Sequence, residues 1–255
     1  MILEAVVIIL REVLEAALLI SLLFVVSHVL NLGIKWLIPA TSVGLLGAIL
    51  YARNIAWVSE QMDYAGQELL NASLQILIWS AIAVLFLISK HVPVKKRAIQ
   101  ALMAAIVAFA LIRECSEILL YVFAFGTAAG QWTSILASGA IGAVTGICVG
   151  LLIYLLILWT SVRHNMLTAA YTLLAAVTAG IVTQAVSLLE QVDHIPSASP
   201  IWDTSRLVPE NSVIGQLLYA LLGYEATPSI WHVSAYLAVL ISLFTAYHLP
   251  YKSAR

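Results

Sequence analysis

Residues 8–17 read Ile-Ile-Leu-Arg-Glu-Val-Leu-Glu-Ala-Ala, and residues 110–119 read Ala-Leu-Ile-Arg-Glu-Cys-Ser-Glu-Ile-Leu. Each stretch places an Arg-Glu-x-x-Glu motif near the middle of a long apolar run. The two glutamates of a motif stand at i and i+3 and share one helix face. The arginine precedes the second glutamate by four residues, within side-chain reach. Each run therefore predicts a helix that presents a pair of carboxylates with a tethered cation.

The composition around the two motifs is typical of an integral membrane protein. Of the 255 residues, 62% are apolar and 10% are charged, and the mean hydropathy of +1.01 lies far above that of a soluble domain. A membrane-spanning helix needs about 20 mainly apolar residues. The apolar runs predict an all-α fold with seven spans, over residues 2–28, 36–58, 69–89, 98–125, 133–159, 166–189 and 230–249.

The basic residues of the connections predict the orientation of the chain. Only Arg53 and Arg206 fall on one side, and the others fall on the opposite side: Lys35, Lys90, Lys95, Lys96, Arg97, Arg163, Lys252 and Arg255. The positive-inside rule then places the N-terminus outside and the C-terminus in the cytoplasm, which requires an odd number of spans. We expect a multi-pass protein of the cell membrane, whether inner or plasma membrane, with lipid as its surroundings.

The spacing of the motifs predicts an inverted repeat. Arg11 and Arg113 are 102 residues apart and three spans lie in each repeat, so span one runs inward and span four runs outward. Transporters built in this way place the substrate near the midplane, where the repeats meet. The chain then forms one transmembrane domain over 1–255, with repeat one at about 1–90, repeat two at about 98–190, an outer loop at about 190–229 and a last helix at about 230–249.

Two smaller features refine this architecture. Small residues four positions apart in spans two and five predict close helix packing; they are Gly44 and Ala48 in span two and Gly142, Gly146 and Gly150 in span five. Within the outer loop, the short apolar stretch 213–222 predicts either a re-entrant helix or a surface helix.

The charges of the two motifs predict a cation site. A charged side chain at the centre of a spanning helix costs about 2.5–3.5 kcal/mol on insertion scales, so six such groups must face one another or water. If the two helices cross at the motifs, four carboxylates and two guanidiniums leave a formal charge of −2, which a bound cation would offset. The candidate metal ligands are Glu12, Glu15, Glu114 and Glu117, with Arg11 and Arg113 as their partners.

The ligand types narrow the choice of cation. Carboxylate oxygens without His, Cys or Met suit hard cations such as iron(III), magnesium, manganese or calcium, and suit copper(I) poorly. The alternative is that each motif is an internal salt bridge that fixes helix packing. A single ion pair would suffice for that, whereas this pattern recurs and carries surplus negative charge.

Acidic residues outside the motifs gather in the connections predicted to lie outside. Five of them are candidates for a weaker outer metal site: Glu60, Asp63, Glu68, Glu190 and Asp193. Two interpretations stay open. These acids could solvate the outer loops, or they could form a funnel that raises the local concentration of cations.

Paired Arg-Glu-x-x-Glu motifs in spans one and four of a seven-helix protein resemble the oxidase-dependent iron transporter family, the high-affinity iron permeases of yeast and their bacterial relatives. The C-terminal part extends the likeness through Trp202-Asp203-Thr204-Ser205, then Glu210, Ser212, Gly215, Leu217 and Leu218, then Gly223-Tyr224 and Pro228-Ser229. The family usually has Gly after the first glutamate of each motif, where this chain has Val13 and Cys115. Larger side chains at these positions could narrow a helix contact or alter metal selectivity.

The resemblance implies a permease rather than an enzyme, in which the four motif glutamates carry iron into the cytoplasm and the two arginines assist them. Iron is then the transported substrate and no cofactor is permanently bound. The resemblance also implies a separate oxidase or iron-delivery protein at the outer face that supplies Fe3+, and no nucleic acid as partner. One alternative is a permease for manganese, lead or another divalent cation. A membrane-embedded di-metal carboxylate oxidase is disfavoured, because neither motif has the Glu-x-x-His pattern usual in di-iron proteins.

Overall fold

The computed structural model describes residues 2–89, 92–129, 132–160 and 163–248, and within these ranges the chain is helical with no strand. The helices are α1 (Ile2–Val29), α2 (Leu37–Arg53), α3 (Ile55–Ser59), α4 (Gly66–Ile88), α5 (Val92–Ala129), α6 (Trp132–Thr160), α7 (Arg163–Gln191), α8 (Val213–Leu222) and α9 (Ile230–His248). The predicted all-α class is confirmed.

Several of these helices can cross a membrane. Among the described residues, five stretches are long and apolar enough: Gly66–Ile88, Lys95–Thr127, Trp132–Trp159, Met166–Gln191 and Ile230–His248. They correspond to predicted spans three to seven. The first predicted span coincides with α1, whose 28 residues contain the first motif, and α2 has 17 residues, fewer than the usual span. The count of seven spans stays a prediction.

The predicted second span, over 36–58, is interrupted in the structure. The helix α2 ends at Arg53, and Asn54 leaves the helical region at φ −104° and ψ 14° before α3 begins. The Asn54 side chain donates a hydrogen bond of 2.7 Å to the carbonyl oxygen of Leu50. The Asn54 N–H still donates to the carbonyl oxygens of Leu50 and Tyr51, so the side chain adds a local hydrogen bond at the break, as asparagine commonly does at helix ends.

Glycines bring the helices of the bundle close together. The helix α1 packs along α6, and α2 packs along α5. A Cβ atom on Gly142 of α6 would lie 2.6 Å from the Val6 carbonyl oxygen of α1, and one on Gly44 of α2 would lie 2.7 Å from Leu111 Cβ of α5. The predicted small-residue packing is therefore present at both interfaces. Each glycine contact lies close to one of the Arg-Glu-x-x-Glu motifs.

The short helix α8 packs one face against α1 and α7, whereas Val213, Ile214 and Leu222 are exposed. It begins after Ser212, whose hydroxyl accepts a 3.0 Å hydrogen bond from the Gly215 N–H, and it ends at Gly223, which has a φ of +66°. Ala220 of α8 packs in a buried cluster with Leu14 of α1. Since Leu14 lies within the first motif, α8 reaches the depth of that motif.

Candidate cation site

The structure brings the two motifs together at Arg113. Its Nη2 atom donates a 3.0 Å hydrogen bond to Oε2 of Glu15, which links α5 to α1. Its Nε atom lies 3.3 Å from Glu114 Oε1 and 3.7 Å from Glu117 Oε1. One buried guanidinium therefore contacts three of the four motif glutamates.

Arg11 has a different environment. Its Nε atom donates a 2.9 Å hydrogen bond to the neighbouring Glu12, and its guanidinium lies 5.6 Å from the centre of the Tyr219 ring of α8, as in a cation–π contact. The Arg11 side chain is 34% exposed, against 6% for Arg113. The sequence predicted that each arginine would reach the second glutamate of its own motif. That holds for Arg113, whereas Arg11 pairs with the first glutamate of its motif and leaves Glu15 to Arg113.

Burial leaves two carboxylate oxygens without partners. Glu12, Glu15 and Glu114 are buried, and Glu117 is partly exposed. Among the described residues, no hydrogen-bond partner is found for the buried Oε2 atoms of Glu12 and Glu114. A buried carboxylate oxygen without a donor is costly, so these two atoms are ready to accept a proton or a cation. They come from the same position of the two motifs.

The carboxyl groups of Glu12 and Glu114 lie within hydrogen-bonding reach of each other, so among the described residues the site pairs carboxylates rather than clustering three of them. The part of the chain that the structure describes contains no group of three or more His, Cys, Asp or Glu arranged to hold a metal ion. Arg113 accounts for this arrangement, because its guanidinium contacts carboxylates from both α1 and α5. If all four glutamates are ionised, the two arginines leave the site with a formal charge of −2.

Amide side chains, which sequence reasoning missed, complete the site. Asn71 of α4 donates a 3.3 Å hydrogen bond to Glu117 Oε1, and Gln184 of α7 donates a 3.2 Å hydrogen bond to Glu15 Oε1. Gln75 of α4 donates in turn to Gln184 Oε1 at 3.1 Å. Polar side chains inside apolar spans are expensive and usually functional, and that signal could have identified all three.

The outer candidates of the first long connection do not assemble into a site. Glu60 and Asp63 are exposed, and Asp63 adopts a left-handed φ of +58° in the turn before α4. Glu68 lies in the first turn of α4, three residues before Asn71, and its Oε2 atom is buried with no hydrogen-bond partner among the described residues. Of these three, Glu68 alone shares a helix face with Asn71, which contacts the second motif.

The two candidates of the second long connection, Glu190 and Asp193, differ from each other in their surroundings. Asp193 is exposed, with a φ of +56°. Glu190 accepts a 3.0 Å hydrogen bond from Ser229 Oγ, and its Oε2 lies 3.5 Å from His232 Nε2. On the other side of the imidazole, Glu225 Oε2 lies 3.3 Å from His232 Nδ1. Burial, together with the charges of Glu210 and Glu190, raises the pKa of Glu225 to about 7.

The C-terminal residues that extend the family likeness shape the loop carrying α8. Asp203 accepts hydrogen bonds from the hydroxyl and the N–H of Ser205, which lower the pKa of its carboxyl group. The Thr204 hydroxyl lies 2.8 Å from the Tyr224 hydroxyl. Glu210 accepts a 2.7 Å hydrogen bond from the backbone N–H of Ala226. These contacts fix both ends of the segment that contains α8.

The sequence model of the iron permease FTR1 family matches residues 2–251, which include both motifs and α8. The chain belongs to this family. The match confirms the resemblance drawn from the motifs, and it identifies this FTR1-family chain as a multi-pass membrane protein of the iron permease class. No curated protein and no solved structure matches the FTR1-family chain significantly.

Proposed function

We propose that this FTR1-family protein moves iron into the cytoplasm through the site formed by Glu12, Glu15, Glu114 and Glu117. The observation that carries the proposal is the pair of buried, unpartnered Oε2 atoms of Glu12 and Glu114. They belong to a site of formal charge −2 made only of hard oxygen donors, which favours a hard and highly charged ion such as Fe3+.

Arg113 acts as the counter-ion of the site when iron is absent. Removing one partner from a buried ion pair is strongly unfavourable, so the carboxylates need a cation at every stage of transport. As iron arrives, Glu15 and Glu114 exchange the guanidinium for the metal, and they recover the guanidinium when the metal leaves. This exchange explains why four carboxylates can stay together in an apolar bundle.

The packing of the helices supports an inverted repeat of spans one to three and four to six. The spans are α1, α2, α4, α5, α6 and α7, with α9 as the seventh. Such a repeat relates α1 to α5 and α2 to α6, so it relates the α1–α6 pair to the α2–α5 pair. Glycines beside a motif allow close packing in both pairs. With the positive-inside rule, the N-terminus is then outside and the C-terminus is cytoplasmic.

At the outer face, a separate oxidase or iron-delivery protein supplies Fe3+. The chemistry supports this because a site of carboxylates prefers the harder ferric ion, whereas the chain contains no Cys-x-x-Cys-His segment for haem attachment. The outer acids Glu60, Asp63, Glu68, Glu190 and Asp193 form the region that receives the ion. Glu68, with its buried unpartnered oxygen, is the strongest candidate among them.

The test is metal flux into liposomes that contain the purified protein. Glu12→Gln and Glu114→Gln keep the side-chain shape but remove a ligand charge, and each is expected to abolish iron uptake. Arg206→Gln, which removes an exposed charge outside the motifs, is the control and is expected to keep wild-type uptake. Wild-type flux in both motif variants would overturn the assignment. Stronger competition by manganese or lead than by iron would change the substrate to a divalent ion.

A further inference from the structure

We propose that Gln184 and Asn71 are positioning residues that hold the second glutamate of each motif in one orientation as a ligand. The proposal rests on the transport function proposed above and deepens it. Each amide is a neutral donor, and each comes from the opposite repeat to the glutamate that it holds.

Each of the two amides donates to the second glutamate of the motif in the other repeat. Gln184 lies on α7, in repeat two, and donates to Glu15 of repeat one at 3.2 Å. Asn71 lies on α4, in repeat one, and donates to Glu117 of repeat two at 3.3 Å. Glu15 and Glu117 occupy the same position of their motifs, and α4 and α7 are the third spans of their repeats. Both amides are 5% exposed, so water does not replace them as donors.

Each amide is held so that its NH2 group faces the carboxylate. The Tyr51 hydroxyl donates a 3.1 Å hydrogen bond to Asn71 Oδ1, and Gln75 Nε2 donates a 3.1 Å hydrogen bond to Gln184 Oε1. Because the amide oxygen already accepts from another donor, rotation by 180° would turn that oxygen toward the carboxylate and lose both hydrogen bonds. The flanking donors therefore fix the orientation of each amide.

A neutral donor has an advantage over a cation at these positions. A hydrogen bond from a neutral amide orients a carboxylate and adds no positive charge to compete with a bound cation. Glu15 and Glu117 are thus held in one orientation, while the Oε2 atoms of Glu12 and Glu114 have no hydrogen-bond donor among the described residues. Without Gln184, the freed Oε1 of Glu15 can turn toward an arginine, and the affinity of the site for a cation falls.

The experiment measures iron uptake by proteoliposomes over a range of iron concentrations. Gln184→Met and Asn71→Leu keep the approximate size of each side chain and remove the donor. Since a hydrogen bond to a charged group changes an equilibrium by about tenfold or more, each variant is expected to raise KM by about tenfold while Vmax per protein copy changes much less. Gln75→Met leaves the Gln184 NH2 group in place and removes only the donor to the Gln184 side-chain oxygen. The KM of this variant is therefore expected to rise less than that of Gln184→Met.

A matched control separates positioning from stability. Gln100 Nε2 donates a 2.7 Å hydrogen bond to the Leu32 carbonyl oxygen, away from the motifs. Gln100→Met removes the same kind of donor, so it is expected to lower the melting temperature while leaving KM unchanged. A loss of Vmax in proportion to folded protein, with KM unchanged in both Gln184→Met and Asn71→Leu, overturns the inference.

The same assay distinguishes failure of the positioning role from failure of the transport function. If the wild-type protein takes up iron and the amide variants keep its KM, the positioning role fails and the transport function stands. If the wild-type protein takes up no iron, the transport function fails and the positioning role fails with it. A larger KM in Gln75→Met than in Gln184→Met also contradicts the inference, because the residue that holds Glu15 would then be Gln75 of α4 and not Gln184 of α7.

Discussion

At the scale of single residues, the two arginines of the repeated motif are not equivalent. Arg113 is buried and contacts Glu15, Glu114 and Glu117. Arg11 is partly exposed and forms an ion pair with Glu12 alone among the described residues. The same motif therefore places its guanidinium at the centre of the site in one helix and at the edge in the other.

This asymmetry predicts different costs for the same substitution. Arg113→Gln leaves buried carboxylates without a cation, and removing one partner of a buried pair costs about 3–5 kcal/mol. Arg11→Gln removes a partly solvated pair and is expected to cost less. Denaturation of the purified variants in detergent, together with the amount of each in the membrane, gives the comparison. Equal stability of the two variants would show that Arg113 is not the central counter-ion.

Val13, which replaces the family's usual glycine, contacts a neighbouring helix. A Cβ atom on Gly146 of α6 would lie 3.0 Å from Val13 Cγ1, so Val13 packs at the contact of α1 with α6. Val13→Gly is expected to leave the order of metal preference unchanged. It is also expected to lower the stability of the protein, because glycine is less favourable than valine inside a helix and the contact of Val13 with α6 is lost. Competition assays between metals test the first expectation, and thermal unfolding tests the second. A changed metal preference would contradict the packing role.

At the scale of elements, α8 depends on a close approach of two backbones. Gly223 ends the helix at a φ of +66°, and a Cβ atom there would overlap with Gly180 Cα of α7. Gly223→Ala is therefore expected to push α8 away from α7 and to reduce iron uptake, since Tyr219 of α8 also covers Arg11.

Gly33→Ala is the matched control for the close approach at Gly223. Gly33 has a φ of +75°, but nothing lies within 4 Å of the position of its Cβ. Both variants carry the conformational cost of an alanine at positive φ, whereas only Gly223→Ala adds a clash. Thermal unfolding and iron uptake of the two variants separate these effects. An equal loss of uptake in both would show that the contact with α7 is unimportant.

The loop after α8 is expected to respond to pH through Glu225. Its carboxyl faces His232, and the nearby Glu190 and Glu210 share its surroundings. Its pKa of about 7 in the folded protein lies above its usual value of 4.5, so the folded state binds the proton more tightly than the unfolded state. The stability that this proton contributes is present below pH 4.5 and is lost as the pH rises through 7.

Glu225→Gln removes this titration while keeping the shape of the side chain. The variant is expected to gain melting temperature relative to the wild-type protein as the pH rises from 5 to 8. Parallel unfolding measurements across that range test the expectation. A constant difference between the two proteins would exclude Glu225 as the titrating group.

At the scale of the whole molecule, hydropathy and charge predicted the helices and the motif glutamates. Long apolar runs predict helices, because lipid cannot form hydrogen bonds with free backbone N–H and C=O groups. The two motifs are recognisable as charged residues within these runs. The polarity of Asn71 and Gln184 within apolar runs is visible in the sequence, but their partners are not, because these depend on which helices become neighbours. The same is true of Arg113, whose bond to Glu15 joins residues 98 positions apart. Pairing across helices is a tertiary property that single-sequence periodicity does not contain.

The inverted arrangement predicts which connections lie on each side of the membrane. In a protein whose Cys115 and Cys148 are replaced, single cysteines are introduced at four exposed positions by Asn31→Cys, Gln61→Cys, Arg97→Cys and Ser197→Cys. The positive-inside rule predicts that an impermeant thiol reagent labels positions 61 and 197 in intact cells, and labels positions 31 and 97 only after the membrane is opened. Labelling of positions 31 and 197 from the same side would contradict the seven-span inverted repeat. Labelling of positions 31 and 97 alone in intact cells would keep the repeat but reverse the orientation, and with it the direction assigned to iron.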